Sequence, residues 1–572
     1  MCMGEVKWRS AAIAVVGLVL IASDITVASA QDRRDALEAL ERERLQSLRD
    51  AQARSAPLLA LPATVAWLPP IAGETPCFAI QRFELTSDTP LPLRSAGGKF
   101  DWLLQDLGAF EGACLGPQSL DSLRRNLDSR LVSRGYVTSG VRLAPQNLAS
   151  GVLQVSLLVG RVARIDLRGA ASAIGRNAIA FKPGDALNLR DIEQTLENLA
   201  RLPSQIAQFQ IEAADQADAS IVAIAIAGDT TRSWRLSAGL DNGAPRDYGH
   251  WQATAQAVWD APLGLSDQVA VSLTHTAGQA PGDRYQGSAA VNYSMPVGKH
   301  LLSINASRSR HVQPIQGLTT HFSENGFDAS VQLRWQWTAW RNASARWNLW
   351  LGATERRSRN AVDDVELVLQ RRHSRSSDWG LNGWMRLAAG ELSVDLDGSV
   401  ALRVGADTDV QLDPPKLAST RRVQLAWQQP VAQSLHYETR LAWAAVQDPA
   451  SGADLQTLGS RWSVRGFDAQ DFLTGQQQIT WRQDLRWDWF SNAPLAGLQM
   501  QPYLGLDCGR IAAGAPAATG ARAGRLLVGG VAGLRWSGPG LSGDLAVAAP
   551  LRKPDDFVAS AAVIYISLNF NH

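Results

Sequence analysis

Charge is scarce in this chain: Asp, Glu, Lys and Arg make up 19% of its 572 residues and balance to a formal net charge of +1. That balance excludes a bulk electrostatic case for nucleic-acid binding. Histidine is rare too, with eight residues at no spacing that would hold a metal. The sequence contains no P-loop for a nucleotide, and its Ser, His and Asp residues fall into no recognisable catalytic motif. No cofactor is expected, and an enzyme is the least favoured class. Beyond Ala22 no apolar run approaches the roughly 20 residues that a membrane-crossing helix needs. Cysteine occurs four times, at positions 2, 77, 114 and 508.

What is present begins with a leader. Lys7 and Arg9 precede an apolar core from about Ala11 to Ala22, and Ala28-Ser29-Ala30 forms a small-x-small cleavage site. Residues 1–30 therefore read as a signal peptide, so the mature protein is exported without a helical anchor. Cys2 leaves with the signal, and the three remaining cysteines imply one pair and one leftover outside the cytosol. Cys77 opens a predicted strand and Cys114 ends the first helix of the same unit, so a Cys77–Cys114 bridge is the preferred pairing.

Residues 31–54 are strongly helix-forming, with Leu37, Leu40, Leu45 and Leu48 on one half of the helical wheel and charges of both signs elsewhere. The apolar stripe is too thin for a core, which leaves a solvated spacer or a helix lodged in a polar channel. Residues 55–76 carry five prolines from Pro57 to Pro76 and read as an extended linker. Two compact units follow, at 77–160 and 161–229, each with a strand, helical segments and then two strands: one small fold in tandem.

From residue 230 to residue 572 the apolar period becomes two. Trp335 and Trp337 alternate with Arg334 and Gln336. Leu485, Trp487 and Trp489 oppose Asp484, Arg486 and Asp488, and Ile564, Ile566, Leu568 and Phe570 oppose Tyr565, Ser567 and Asn569. Seventeen of the 20 tryptophans lie at or after Trp234, as expected for rings seated at a membrane interface. About sixteen such segments fill this region, near the ~20 residues per strand and turn of a membrane barrel, with short connections alternating with mostly long ones. The fold class is thus mostly β: a sixteen-stranded transmembrane barrel preceded by a helix and two periplasmic α+β units.

Taken together, "TPCFAIQRFEL", "LVSRGYVTSGVRLAPQNLASGVLQVSLLVGRV", "LNLRDIEQTLENLARLPS", "GLDNGAPRDYG" and "DAPLGLSDQ" resemble the outer-membrane transporters of two-partner secretion, the TpsB family. They lie within the superfamily that also holds barrel-assembly insertases. The resemblance covers nearly the whole mature chain and implies two POTRA domains, a plug helix at 31–54 and a sixteen-stranded barrel. It also implies that Val464-Arg465-Gly466-Phe467, in the sixth extracellular loop, folds back into the lumen. The matching wall motif is Gly505-Leu506-Asp507-Cys508-Gly509. Strand phase places Asp507 with Gln501 and Tyr503 on the lumen face, able to receive Arg465, whereas Leu504, Leu506 and Cys508 face lipid.

The function this implies is ATP-independent passage of a secreted exoprotein, one with a β-helical secretion domain, from POTRA domains in the periplasm through the barrel. An insertase of the same superfamily is the runner-up, since it shares the loop motif. A diffusion porin would leave the tandem periplasmic units unexplained. Further expected partners are outer-membrane lipid and, during biogenesis, the assembly machinery. Asn571 and His572 following Phe570 depart from the aromatic ending common in such barrels.

Overall fold

The computed structural model describes residues 69–571, apart from 72, 88–99, 170–174, 216–218, 229–232, 245–248, 278–283, 317–320, 406–417, 450–453, 470, 490–497 and 513–524. The leader and the 31–54 helix lie outside the described residues.

The two small units share one topology. In the first, Arg82–Ser87 pairs parallel with Val152–Leu158, which pairs antiparallel with Gly140–Arg142. In the second, Arg161–Arg168 pairs parallel with Ala219–Gly228, which pairs antiparallel with Gln205–Ala213. Helices Asp101–Gly108 and Pro117–Ser133 close the first sheet through Leu103, Leu107, Leu123, Leu127 and Leu131, all at most 1% exposed. Helix Leu189–Ala200 closes the second through Ile192 and Leu199. Leucines at three- and four-residue spacing supply these faces, and the alternation in Val152–Leu158 sends Leu153, Val155 and Leu157 to meet them. The segment beginning at Cys77 makes two strands instead of one, because Phe78–Ala79 leaves the main sheet to pair with Cys114–Leu115.

That pairing brings the sulfurs of Cys77 and Cys114 into a disulfide with Cα atoms 5.3 Å apart. Cys77→Ser should lower the stability of this unit by about 2–4 kcal/mol, the usual value of a native cross-link. A denaturation profile of the full chain followed within this unit, with and without reductant, checks it.

The end of the linker is docked. Helix Pro117–Ser133 lacks a side-chain cap of its own, and Glu74 reaches across to accept hydrogen bonds from the backbone N–H groups of Gly116 (3.2 Å), Gln118 (2.5 Å) and Ser119 (3.1 Å). A carboxylate there meets the helix's positive end. Burial alone would raise the Glu74 pKa, but bonds from the Ser119 hydroxyl and these amides outweigh it and hold the value below that of an ordinary glutamate. With a lowered folded-state value, the stabilisation is complete above the ordinary glutamate pKa and is lost as pH falls through the folded one. Hydrogen exchange at the Gln118 and Ser119 amides should therefore accelerate below the ordinary carboxylate range, and Glu74→Gln should remove that pH dependence.

Sixteen strands, from Trp234–Asp241 to Val563–Asn571, close into an antiparallel barrel. The seam between first and last strand spans five register pairs, Asp241↔Ser567 to Ser237↔Asn571. Asn242 prolongs it with its side chain, donating to the Ile564 carbonyl at 2.7 Å and accepting from the Ile566 amide at 2.8 Å. Outward residues such as Leu351, Leu504 and Ile564 are more than half exposed, as a lipid-facing wall is in the absence of lipid. Trp234, Trp259, Trp337, Trp340, Trp487 and Trp489 ring the periplasmic end. Two connections expected as long loops are largely strand. His300–Gln316 and His321–Arg341 form one tall hairpin, and Ala345–Val362 with Arg372–Leu387 forms another. Backbone pairing continues past the apolar band, to Gln316↔His321 in the first hairpin and to Val362↔Val365 in the second.

The second small unit is fastened to the barrel's periplasmic turns. Asn198 donates to the Gly298 carbonyl (2.7 Å), Gly298 N–H donates to Asn177 O (2.8 Å), and Arg341 reaches Glu197 (2.5 Å) and Gln194 (2.9 Å).

Candidate functional site

The connection between Leu435–Gln447 and Gln477–Trp487, the eleventh and twelfth barrel strands, turns inward and carries Val464 to Phe467 against the wall. The wall partner is the thirteenth strand, Gln499–Ala512. Asp507 is 0% exposed and Arg465 is 4% exposed. The carboxylate takes three bonds from one residue: Arg465 Nε to Oδ2 at 2.7 Å, Nη2 to Oδ1 at 2.6 Å and the backbone N–H to Oδ2 at 2.9 Å. A bidentate fork plus a main-chain bond fixes both the charge and the path of the loop.

The pair belongs to a larger cluster. Arg465 Nη2 also donates to Asp484 on the twelfth strand at 2.5 Å, and Arg535 on the fourteenth strand bridges Asp484 (3.2 Å) and Asp544 (3.1 Å). Arg482 lies 3.6 Å from Asp507 and donates to the Trp462 carbonyl at 2.9 Å. Three arginines thus face three aspartates, so the desolvation of each charge is offset locally.

The motif glycines have a spatial reason. A Cβ on Gly505 would lie 2.6 Å from Arg465 Nη2, and one on Gly509 would lie 2.4 Å from Leu458 and 2.7 Å from Val464. Gly466 adopts φ +106°, a conformation open chiefly to glycine, where a Cβ would meet the Ala549 carbonyl at 2.6 Å. Its N–H donates to the Tyr565 hydroxyl (3.0 Å), which in turn donates to the Phe467 carbonyl (2.8 Å). Phe467 meets Phe557 edge-on at a centroid distance of 5.5 Å, within an apolar cluster that includes Leu458, Val464, Leu473, Ile511 and Leu527.

Sequence phase placed Asp507 and Tyr565 inward but assigned no partner to Asp484, Arg482, Tyr565 or Gly529. Asp484 and Arg482 already stood on the charged face of their strand. Which of that face's charges meets Arg465 depends on strand register, which periodicity does not encode. Cys508, beside Asp507, lies outside the disulfide.

A closed barrel with an inward-clamped loop, fed from the periplasm by tandem α/β units, defines an outer-membrane β-barrel transporter with POTRA domains. Residues 218–536 match the haemolysin secretion/activation protein family ShlB/FhaC/HecB, and the chain belongs to that family. Residues 78–160 match the ShlB-type POTRA domain and residues 161–213 a further POTRA domain. The chain is 27% identical over 561 residues to outer membrane transporter CdiB-2 of Burkholderia pseudomallei (strain 1026b), covering 92% of this chain and 93% of that one. It is 25% identical over 414 residues to hemolysin transporter protein ShlB of Serratia marcescens, covering 71% and 72%. Its fold matches CdiB from Escherichia coli with a TM-score of 0.79 at 24% identity, over 96% of this chain and 100% of that one. It is an outer-membrane transporter of two-partner secretion, with its POTRA domains in the periplasm.

Proposed function

We propose that the chain recognises a secreted exoprotein bearing a β-helical secretion domain and conducts it, extended and without ATP, past the clamped loop and out of the cell. The observation that carries this reading is the buried Arg465–Asp507 fork, which holds a long extracellular connection inside the lumen instead of above it. In this reading residues 77–160 and 161–229 receive the client, and residues 230–572 form the conduit. The edge strands Arg161–Arg168 and Gln205–Ala213 each leave one side unpaired within their sheet. An extended client can add to such an edge by main-chain hydrogen bonds. Folding of the client outside gives the passage direction, and the chain itself performs no catalytic step. Export of the partner exoprotein from cells expressing this chain tests the reading, and retention of the exoprotein in the periplasm would contradict it.

Residues 31–54, with charges of both signs, plug the resting lumen in this account. Their deletion should raise single-channel conductance in planar bilayers several-fold. Unchanged conductance would remove the plug.

A further inference from the structure

The outer face of the two tall hairpins carries a belt of cations directly above the lipid-facing apolar band. Register aligns them in rows. Arg308, Ala329, Arg357 and His373 are neighbours across four strands, and Arg310, Phe327 and Arg359 form the next row up. Below lie Glu355 and Arg375, and then the exposed apolar residues Ile304, Leu333, Leu302, Trp335, Leu351 and Trp379. Alternation of period two puts these arginines on the same face as those apolar residues, outside the barrel and not in the lumen.

Height follows from strand geometry. Trp347 pairs with Trp340 at the periplasmic aromatic ring, and Arg357 lies ten residues further along the same strand. Ten residues rise about 33 Å, or about 25 Å along the membrane normal at a tilt of ~40°, which is the height of the apolar band of such barrels. The belt therefore meets the headgroup layer of the outer leaflet.

Its charge is not cancelled internally. Glu355 is the one carboxylate among these rows and is shared by Arg357 (2.9 Å), His373 (2.8 Å) and Arg375 (3.2 Å). The next carboxylate above, Glu366, is held by Arg371 at 2.7 Å. Arg308 lies over the Phe327 ring at 4.7 Å, Arg359 interacts with Glu366 only beyond ion-pair distance, and Arg308, Arg310 and Arg359 make no ion pair within 4 Å among the described residues. On the lumen side of the same hairpins Arg356 is paired with Asp328. Unpaired guanidinium groups at headgroup height, over a ledge of exposed apolar side chains, are complementary to phosphate groups carried on acyl chains.

We propose that this belt is a binding surface for the phosphates of a bis-phosphorylated glycolipid, lipid A, of the outer leaflet, and that it fixes one side of the barrel in the membrane. The test compares the full chain with the triple variant R308Q/R310Q/R359Q, which leaves Arg357 and Arg375 on Glu355. Both are extracted in detergent from outer membranes, and co-purifying lipid A is quantified by mass spectrometry. The triple variant should retain ~10-fold less lipid A or lower still, and the corresponding Arg→Lys triple should retain most of it. Equal retention by wild type and R308Q/R310Q/R359Q would overturn the proposal. So would loss of exoprotein export in that variant with lipid A retention unchanged, which would assign the belt to the client. A heat-modifiable band on electrophoresis confirms that the variant has folded. Displacement of a fluorescent lipid A from the wild-type chain needs no variant: bis-phosphorylated lipid A should compete strongly and dephosphorylated lipid A weakly. Inorganic phosphate competing as well at equal concentration would overturn the lipid assignment.

Discussion

Arg465→Ala is expected to reduce export of the partner exoprotein at least ~100-fold while the barrel still reaches the outer membrane. The substitution leaves Asp507, which has no exposed surface, with only the longer contact to Arg482 at 3.6 Å, and leaves Asp484 with Arg535 at 3.2 Å. Breaking a buried ion pair costs about 3–5 kcal/mol when the remaining charge is uncompensated. With Arg482 and Arg535 still in place the lower figure applies, enough to shift the docked loop's population by about two powers of ten. Asp507→Ala should do comparable harm from the other side, because it also removes the acceptor for the Arg465 backbone N–H. Arg465→Lys should fall between, since an ammonium keeps the charge but cannot span the two carboxylates with a planar fork. Full export with Arg465→Ala or Asp507→Ala, at normal barrel abundance, would reduce the clamp to a structural detail.

The second large effect belongs to a residue with no charge. Gly529, on the fourteenth strand opposite Asp507, faces the loop so closely that a Cβ there would lie 1.8 Å from the Arg465 carbonyl oxygen. Main chain occupies that space, so no side-chain rotation relieves the overlap, and Gly529→Ala should lift the loop from the wall. The expected cost is at the upper end of the ~1–3 kcal/mol typical of overpacking, with a corresponding fall in export of up to ~100-fold. Its neighbour supplies the control. A Cβ on Gly530 meets only the Leu551 side chain, at 3.3 Å, on the lipid face. Gly530→Ala should therefore leave export near wild type, and the two variants, measured side by side for loop protection and export, separate a local clash from general loss of glycine.

Much of this architecture is legible in the chain because a membrane barrel imposes one rule everywhere. Alternation along Gln499–Ala512 turns Asp507 inward and Leu504 and Leu506 outward, and the same rule turns Tyr565 toward the lumen beside Ile564. Alternation does not report how far one strand is staggered against the next. Asp484 and Gly529 are therefore not legible as partners of Arg465, although Asp484 stands on the charged face of its strand. The height of the two hairpins is not legible for a related reason. The segments after Arg310 and Glu355 lack a sustained apolar stripe, a composition that reads as loop, yet backbone pairing continues through them. Glu74 is not legible as a cap because its helix begins more than forty residues away, and local sequence holds no trace of that contact.

The most direct test of the whole account is co-expression of the full chain with a candidate partner exoprotein bearing a β-helical secretion domain, followed by assay of the exoprotein in the medium. Passage through this barrel predicts abundant exoprotein outside cells carrying the wild-type chain and its retention in the periplasm when the chain is absent. Equal amounts outside the cell in both strains would contradict it.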